Sequence, residues 1–100
     1  MLPYGRQTIE DDDIAAVVAV LRGAYLTSGP AVDAFEAKLA EVTEAGHAVA
    51  CANGTAALHL AAMVLELGPG DVAIVPAQTF VATANAVAMT GASVVFADVD

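Results

Sequence analysis

Apolar positions recur along this chain with two different spacings, and the change between them divides it. Ile14, Val17, Val18 and Leu21 fall at i, i+3, i+4 and i+7, which places them on one stripe of a helix. They predict an amphipathic helix over about residues 11–22. Asp11, Asp12 and Asp13 stand at its electropositive start and Arg22 at its other end, charges that suit the helix dipole. That capping role explains the acidic triplet better than a metal site does. Gly23 ends the helix. GAYLTSGP, residues 23–30, reads as a loop, and Pro30 suits the first turn of a second helix. Val32, Phe35, Leu39 and Val42 form that helix's apolar stripe, with Lys38 on the opposite, solvated face between Glu36 and Glu41.

After Gly46 the apolar residues run together. Residues 47–51 predict a short buried strand, and residues 54–67 an alanine- and leucine-rich helix. Gly68-Pro69-Gly70-Asp71 is a stop-and-turn signal. Residues 72–75 predict a second strand, 79–90 a further helix and 93–97 a third strand. The order β-α-β-α-β, with strands apolar on both faces, predicts an α/β fold with a parallel sheet covered on both sides. The expected organisation is an N-terminal helix and loop over residues 1–30, then part of a larger domain over residues 31–100. Three strands make an incomplete sheet, and the chain stops just past the third. It therefore reads as a truncated, N-terminal piece of a larger enzyme.

Composition sharpens that expectation. Of 100 residues, 58% are hydrophobic, and the mean hydropathy of +0.69 is high for a chain of this size. Such a surplus means lipid, or surface that other protein covers. The uncharged stretches between Glu44 and Glu66 and between Asp71 and Asp98 are long enough for lipid. His47, Asn53, Gly54 and His59 interrupt the first, and Pro76, Gln78, Asn85 and Gly91 the second, so the membrane reading is rejected. Twelve acids against three bases give a net charge of −9, which opposes nucleic acid and anionic membrane partners alike. MLPYGRQ has no apolar signal core, so a cytoplasmic location is the default. The single Cys51 excludes an internal disulfide and is expected as a small buried thiol.

Ligands of open α/β sheets bind beyond the carboxyl ends of the strands. Ala52-Asn53-Gly54-Thr55, Pro76-Ala77-Gln78-Thr79-Phe80 and Asp98-Val99-Asp100 fall there. The first could seat an anion on the unsatisfied N–H groups of Thr55 and Ala56, with Gly54 admitting close approach and Thr55 adding a hydroxyl. A plain Asn or Thr cap explains the same four residues and, on them alone, is favoured. No G-x-G-x-x-G and no Walker lysine is present. Phe80 could stack on a flat ring or fill a core. Gln78 and Asn85 read as buried, satisfied amides, and His59 as a histidine packed between helices. His47, at a strand start, is a weaker candidate still. Asp98 and Asp100 could hold a divalent cation against a sugar-nucleotide diphosphate, or simply form a turn.

Taken together, Phe35-Glu36, Asn53-Gly54-Thr55-Ala56-Ala57-Leu58-His59, Gly68-Pro69-Gly70-Asp71, Thr79-Phe80-Val81-Ala82-Thr83-Ala84-Asn85 and Gly91-Ala92 through Asp100 resemble, in order and spacing, the DegT/StrS aminotransferases. These are pyridoxal-phosphate (PLP) enzymes acting on keto-sugar nucleotides. The resemblance implies a fold-type I aminotransferase, homodimeric, with a mainly parallel sheet in its large domain. It assigns the cofactor phosphate to Gly54, Thr55 and Ala56, and the pyridine ring to Phe80. Thr27, Gly29 and Pro30 match a loop near the sugar site or dimer interface. Tyr4-Gly5-Arg6-Gln7-Thr8-Ile9 and Leu26-Thr27-Ser28-Gly29-Pro30 resemble the branch that aminates UDP-4-keto-6-deoxy-N-acetylhexosamines, with glutamate as the expected donor. The family's Schiff-base lysine and the acid facing the pyridinium nitrogen come from sequence beyond this segment, whose only lysine is Lys38. The segment is thus expected to be inert alone, with no catalytic residue of its own. Three other readings stand beside it: a dehydratase of the same family with histidine in place of that lysine, a metal-dependent glycosyltransferase using Asp98 and Asp100, and a non-catalytic piece acting through apolar surface.

Overall fold

Among the described residues six elements form: α1 (Asp11–Leu21), α2 (Pro30–Thr43), α3 (Gly54–Val64), β1 (Val72–Pro76), α4 (Ala82–Ala88) and β2 (Ser93–Ala97). They are seen in a computed structural model that describes residues 5–98. Tyr4 of the N-terminal motif and Asp100 of the carboxylate pair lie outside those residues. The chain divides into two compact units, Met1–Ala50 and Cys51–Asp100, so α2 groups with α1. Pro30, beside the expected boundary, is the first residue of α2.

In the first unit the predicted helices form with caps that their sequences explain. The Glu10 N–H donates to Asp13 Oδ2 at 2.9 Å, which puts an acid of the triplet to use on the helix start. The Gly23 N–H closes the other end on the Val20 carbonyl at 2.9 Å. α2 begins at Pro30, with Gly29 extended at its N-cap. Lys38 lies in solvent, paired with Glu41 at 2.9 Å. Neither helix contains a buried residue, and the apolar stripes point to open surface: Ile14, Val17, Leu21 and Phe35 are all more than half exposed.

The second unit holds the core. β1 and β2 pair in parallel, Val72 with Ser93 through Pro76 with Ala97, with α4 as the crossover between them. α4 packs on both strands and α3 packs on α4. Ala62, Val75, Ala82, Ala86, Val87 and Ala92 form the buried centre. Along β1, Ala73 is half-buried and Val75 buried while Val72 and Ile74 are 61% and 74% exposed, the alternation of a sheet covered on one face. The expectation of cover on both faces is therefore not met by these residues.

Residues 47–51 form no strand. A strand exists only where a neighbour takes its hydrogen bonds; here the Ala50 N–H donates to the Glu36 carboxylate at 2.7 Å, and Val49 is 77% exposed. The Gly68–Asp71 turn forms as expected, its ends joined by the Asp71 N–H on the Gly68 carbonyl and by the Gly68 N–H on Asp71 Oδ2. α4 starts at Ala82, three residues later than the composition suggests, because Thr79–Val81 remain in the β1–α4 connection.

Candidate functional site

The start of α3 and the β1–α4 connection meet at one groove of about 530 Å³, lined by Gly54, Thr55, Ala57, Leu58, Phe80 and Ala82. α3 opens where Asn53 leaves the extended region, and Asn53 Oδ1 accepts the Ala56 N–H at 2.9 Å. The Ala57 N–H turns back to the Asn53 carbonyl at 3.1 Å. Of the first-turn donors, those of Gly54 and Thr55 have no acceptor among the described residues. The expectation of a free Ala56 N–H is corrected by the Asn53 cap, which takes that donor and leaves the N–H groups of Gly54 and Thr55 open.

Gly54 is helical in backbone, and a Cβ built on it meets nothing within 4 Å. Neither strain nor crowding within the chain calls for glycine there, so the space over the first turn is open to a ligand. No side chain lining the groove is ionisable. Attraction for an anion comes from the helix start alone, through N–H groups and the dipole.

Phe80 is 73% exposed, which sets aside a core role for it within this chain. It sits just ahead of the α4 N-cap Val81. Its connection is fastened at several points: the Ala77 N–H donates to the Ala97 carbonyl at 2.8 Å, and the Thr83 N–H to the Phe80 carbonyl at 3.0 Å. The Thr79 and Thr83 hydroxyls share a hydrogen bond of 2.9 Å. Leu58 joins the groove one turn into α3, a placement its i+4 spacing from Gly54 gives away. The Thr79–Thr83 pair carries the same i, i+4 signal.

Other candidates go elsewhere. Gln78 and Asn85, expected buried, are exposed, because none of the described residues packs over them. Cys51 is exposed too, its thiol 3.4 Å from the Asn53 carbonyl oxygen. His59 is half-buried and lines a separate groove with Met63, Glu66, Leu67, Met89 and Thr90. His47 is exposed. Asp98 follows β2, and among the described residues no group of three or more His, Cys, Asp or Glu could hold a metal ion. In the first unit, Thr27 is exposed, and Gly29 and Pro30 form the start of α2. A Cβ on Gly29 would come within 2.6 Å of Tyr25 Cβ, so local packing alone accounts for that glycine.

Residues 7–100 match the DegT/DnrJ/EryC1/StrS aminotransferase family. A UDP-4-amino-4-deoxy-L-arabinose–oxoglutarate aminotransferase of Shewanella sediminis is 43% identical over 99 residues, which cover 99% of this chain and 26% of that protein. A Streptococcus pneumoniae protein assigned as a sugar aminotransferase, solved in apo, PMP and PLP forms, superposes with a TM-score of 0.90 at 36% identity. That match covers 99% of this chain and 25% of the other. A DegT/DnrJ/EryC1/StrS aminotransferase of Brucella abortus is 49% identical, with a TM-score of 0.71 over 87% of this chain and 22% of its own. The chain thus spans about a quarter of the length of such relatives.

Proposed function

Because this chain belongs to the DegT/DnrJ/EryC1/StrS aminotransferase family, whose members depend on PLP, we propose that its groove is the phosphate and ring seat of that cofactor. The observation that carries this reading is the meeting of two unlike features on one surface: the unpartnered N–H groups of Gly54 and Thr55, and the exposed Phe80 ring. The open space over Gly54 lets an oxyanion reach the backbone. The Thr55 hydroxyl adds a donor. Ala56 holds the first turn in place while Asn53 occupies its N–H. Phe80 offers a ring face on which a flat heterocycle packs.

When bound, PLP supplies an electron sink for breaking bonds at the amino-bearing carbon. The residues of this chain bind and orient; they transfer no proton. Lys38, the only lysine, is exposed and paired with Glu41, so the segment is proposed to be inert alone.

The proposed reaction of the whole enzyme is transamination of a nucleotide-linked 4-keto sugar. The Shewanella relative's name specifies a UDP sugar aminated at C4 and pairs it with oxoglutarate, the keto form of glutamate. Within that class, the finer assignment is a UDP-4-keto-6-deoxy-N-acetylhexosamine with glutamate as donor. Thr27, Gly29 and Pro30 are proposed to serve the sugar site or a homodimer interface, in a cytoplasmic enzyme. The test is the complete reading frame containing these residues, expressed and purified. It is expected to carry a PLP absorption band that borohydride fixes to the protein, and to aminate the 4-keto sugar with glutamate. Folded protein that takes up no PLP would overturn the reading.

A further inference from the structure

Phe80 is poorly held by packing: 73% of it is exposed, and the adjoining Val81 is 60% exposed. A ring wall in that position wanders unless its backbone is fastened. The connection contributes two residues to the groove, Phe80 and Ala82, and these are bracketed by Thr79 and Thr83. Neither threonine lines the groove; their hydroxyls bond each other at 2.9 Å beside it. Thr83 lies in the first turn of α4, next to Ala82, which is only 4% exposed. Its N–H also holds the Phe80 carbonyl at 3.0 Å. Thr83 thus fastens the Phe80 backbone directly through its N–H, and the preceding residue, Thr79, through its hydroxyl.

We infer that Thr79 and Thr83 are positioning residues: their hydroxyl–hydroxyl bond fixes the Phe80 connection to α4, which is anchored by its buried Ala82, Ala86 and Val87, and so sets where the groove presents its aromatic face. This rests on the PLP reading of the groove. The threonines do not touch the cofactor, and they act through Phe80.

The experiment uses the complete protein, with PLP titrated into apoenzyme and the visible circular dichroism of the bound cofactor recorded for each variant. Thr83→Val removes the hydroxyl and keeps the shape, and is expected to weaken PLP binding roughly three- to tenfold, the worth of one neutral hydrogen bond. The dichroic signal should change as the ring packing changes. Thr83→Ser, which restores the hydroxyl, should restore both. Phe80→Ala should weaken PLP binding at least as much, and Thr83→Val added to it should cost nothing further. If Phe80→Ala weakens binding while Thr83→Val matches wild type in affinity and dichroism, the positioning role is wrong and the cofactor reading stands. If Phe80→Ala has no effect, the stacking assignment falls and the positioning role with it. Should Thr83→Val not fold, Thr79→Val at the exposed end of the pair decides by the same two readouts.

Discussion

Two neighbouring residues at the start of α3 are expected to divide stability from the proposed ligand binding. Asn53 accepts the Ala56 N–H and caps the helix, so Asn53→Ala should cost about 1 kcal/mol of stability. Gly54 makes no contact that a methyl would disturb, and Gly54→Ala should shift stability by no more than about 0.5 kcal/mol. In the complete protein, however, the added Cβ occupies the approach to the backbone. Gly54→Ala should weaken PLP affinity about tenfold, near 1.4 kcal/mol. Denaturation midpoints and PLP titration on both variants check the contrast. A Gly54→Ala protein with wild-type affinity would show that the glycine is not reserved for a ligand.

At the scale of elements, the connection between α4 and β2 depends on a glycine for a different reason. Gly91 has φ +87°, and a Cβ there would lie 3.1 Å from Pro69 Cγ. Gly91→Ala should therefore destabilise the fold by about 1–3 kcal/mol, read as a lowered thermal midpoint of the complete protein, with an unchanged midpoint arguing against the strained turn. The elements that sequence pattern made legible are those that carry their own signal. α1 and α2 have a helical period with start and stop residues, and β1 and β2 have apolar runs between turns. Residues 47–51 have an apolar run of the same kind, but composition does not say which neighbour accepts their hydrogen bonds, and Glu36 takes the Ala50 N–H. The groove was legible at Gly54, Thr55 and Phe80. The Ala56 N–H reads as free from sequence, but the Asn53 cap competes for that donor and takes it. Gln78, Asn85 and Cys51 were misread because polarity and size do not reveal how much protein covers a position.

For the whole molecule, the surface area is the informative quantity. The chain exposes 8309 Å², whereas a compact body of 10.0 kDa exposes roughly 5,200 Å². Even two separate compact bodies of half that mass would expose only about 6,300 Å² together. Among the described residues, four of the six in the buried core are alanines, so little apolar area is removed from water to offset chain entropy. Residues 1–100 expressed alone should accordingly bind a hydrophobic dye, self-associate and lack a sharp unfolding transition. Light scattering after size exclusion and a thermal scan check this; a monomer with a single cooperative transition would contradict it.

The parallel pairing of β1 with β2 also bears on the order of assembly. Each of its five register pairs joins residues 21 apart along the chain, near the shortest reach a parallel crossover permits. Closing such a loop costs only roughly 0.6 kcal/mol more than closing one half as long, and contacts of short sequence separation form early in a folding search. Phe80 lies inside that loop. The aromatic wall of the groove is therefore expected to take shape with the β1–β2 pair, and the helix start that faces it to dock against that surface afterwards.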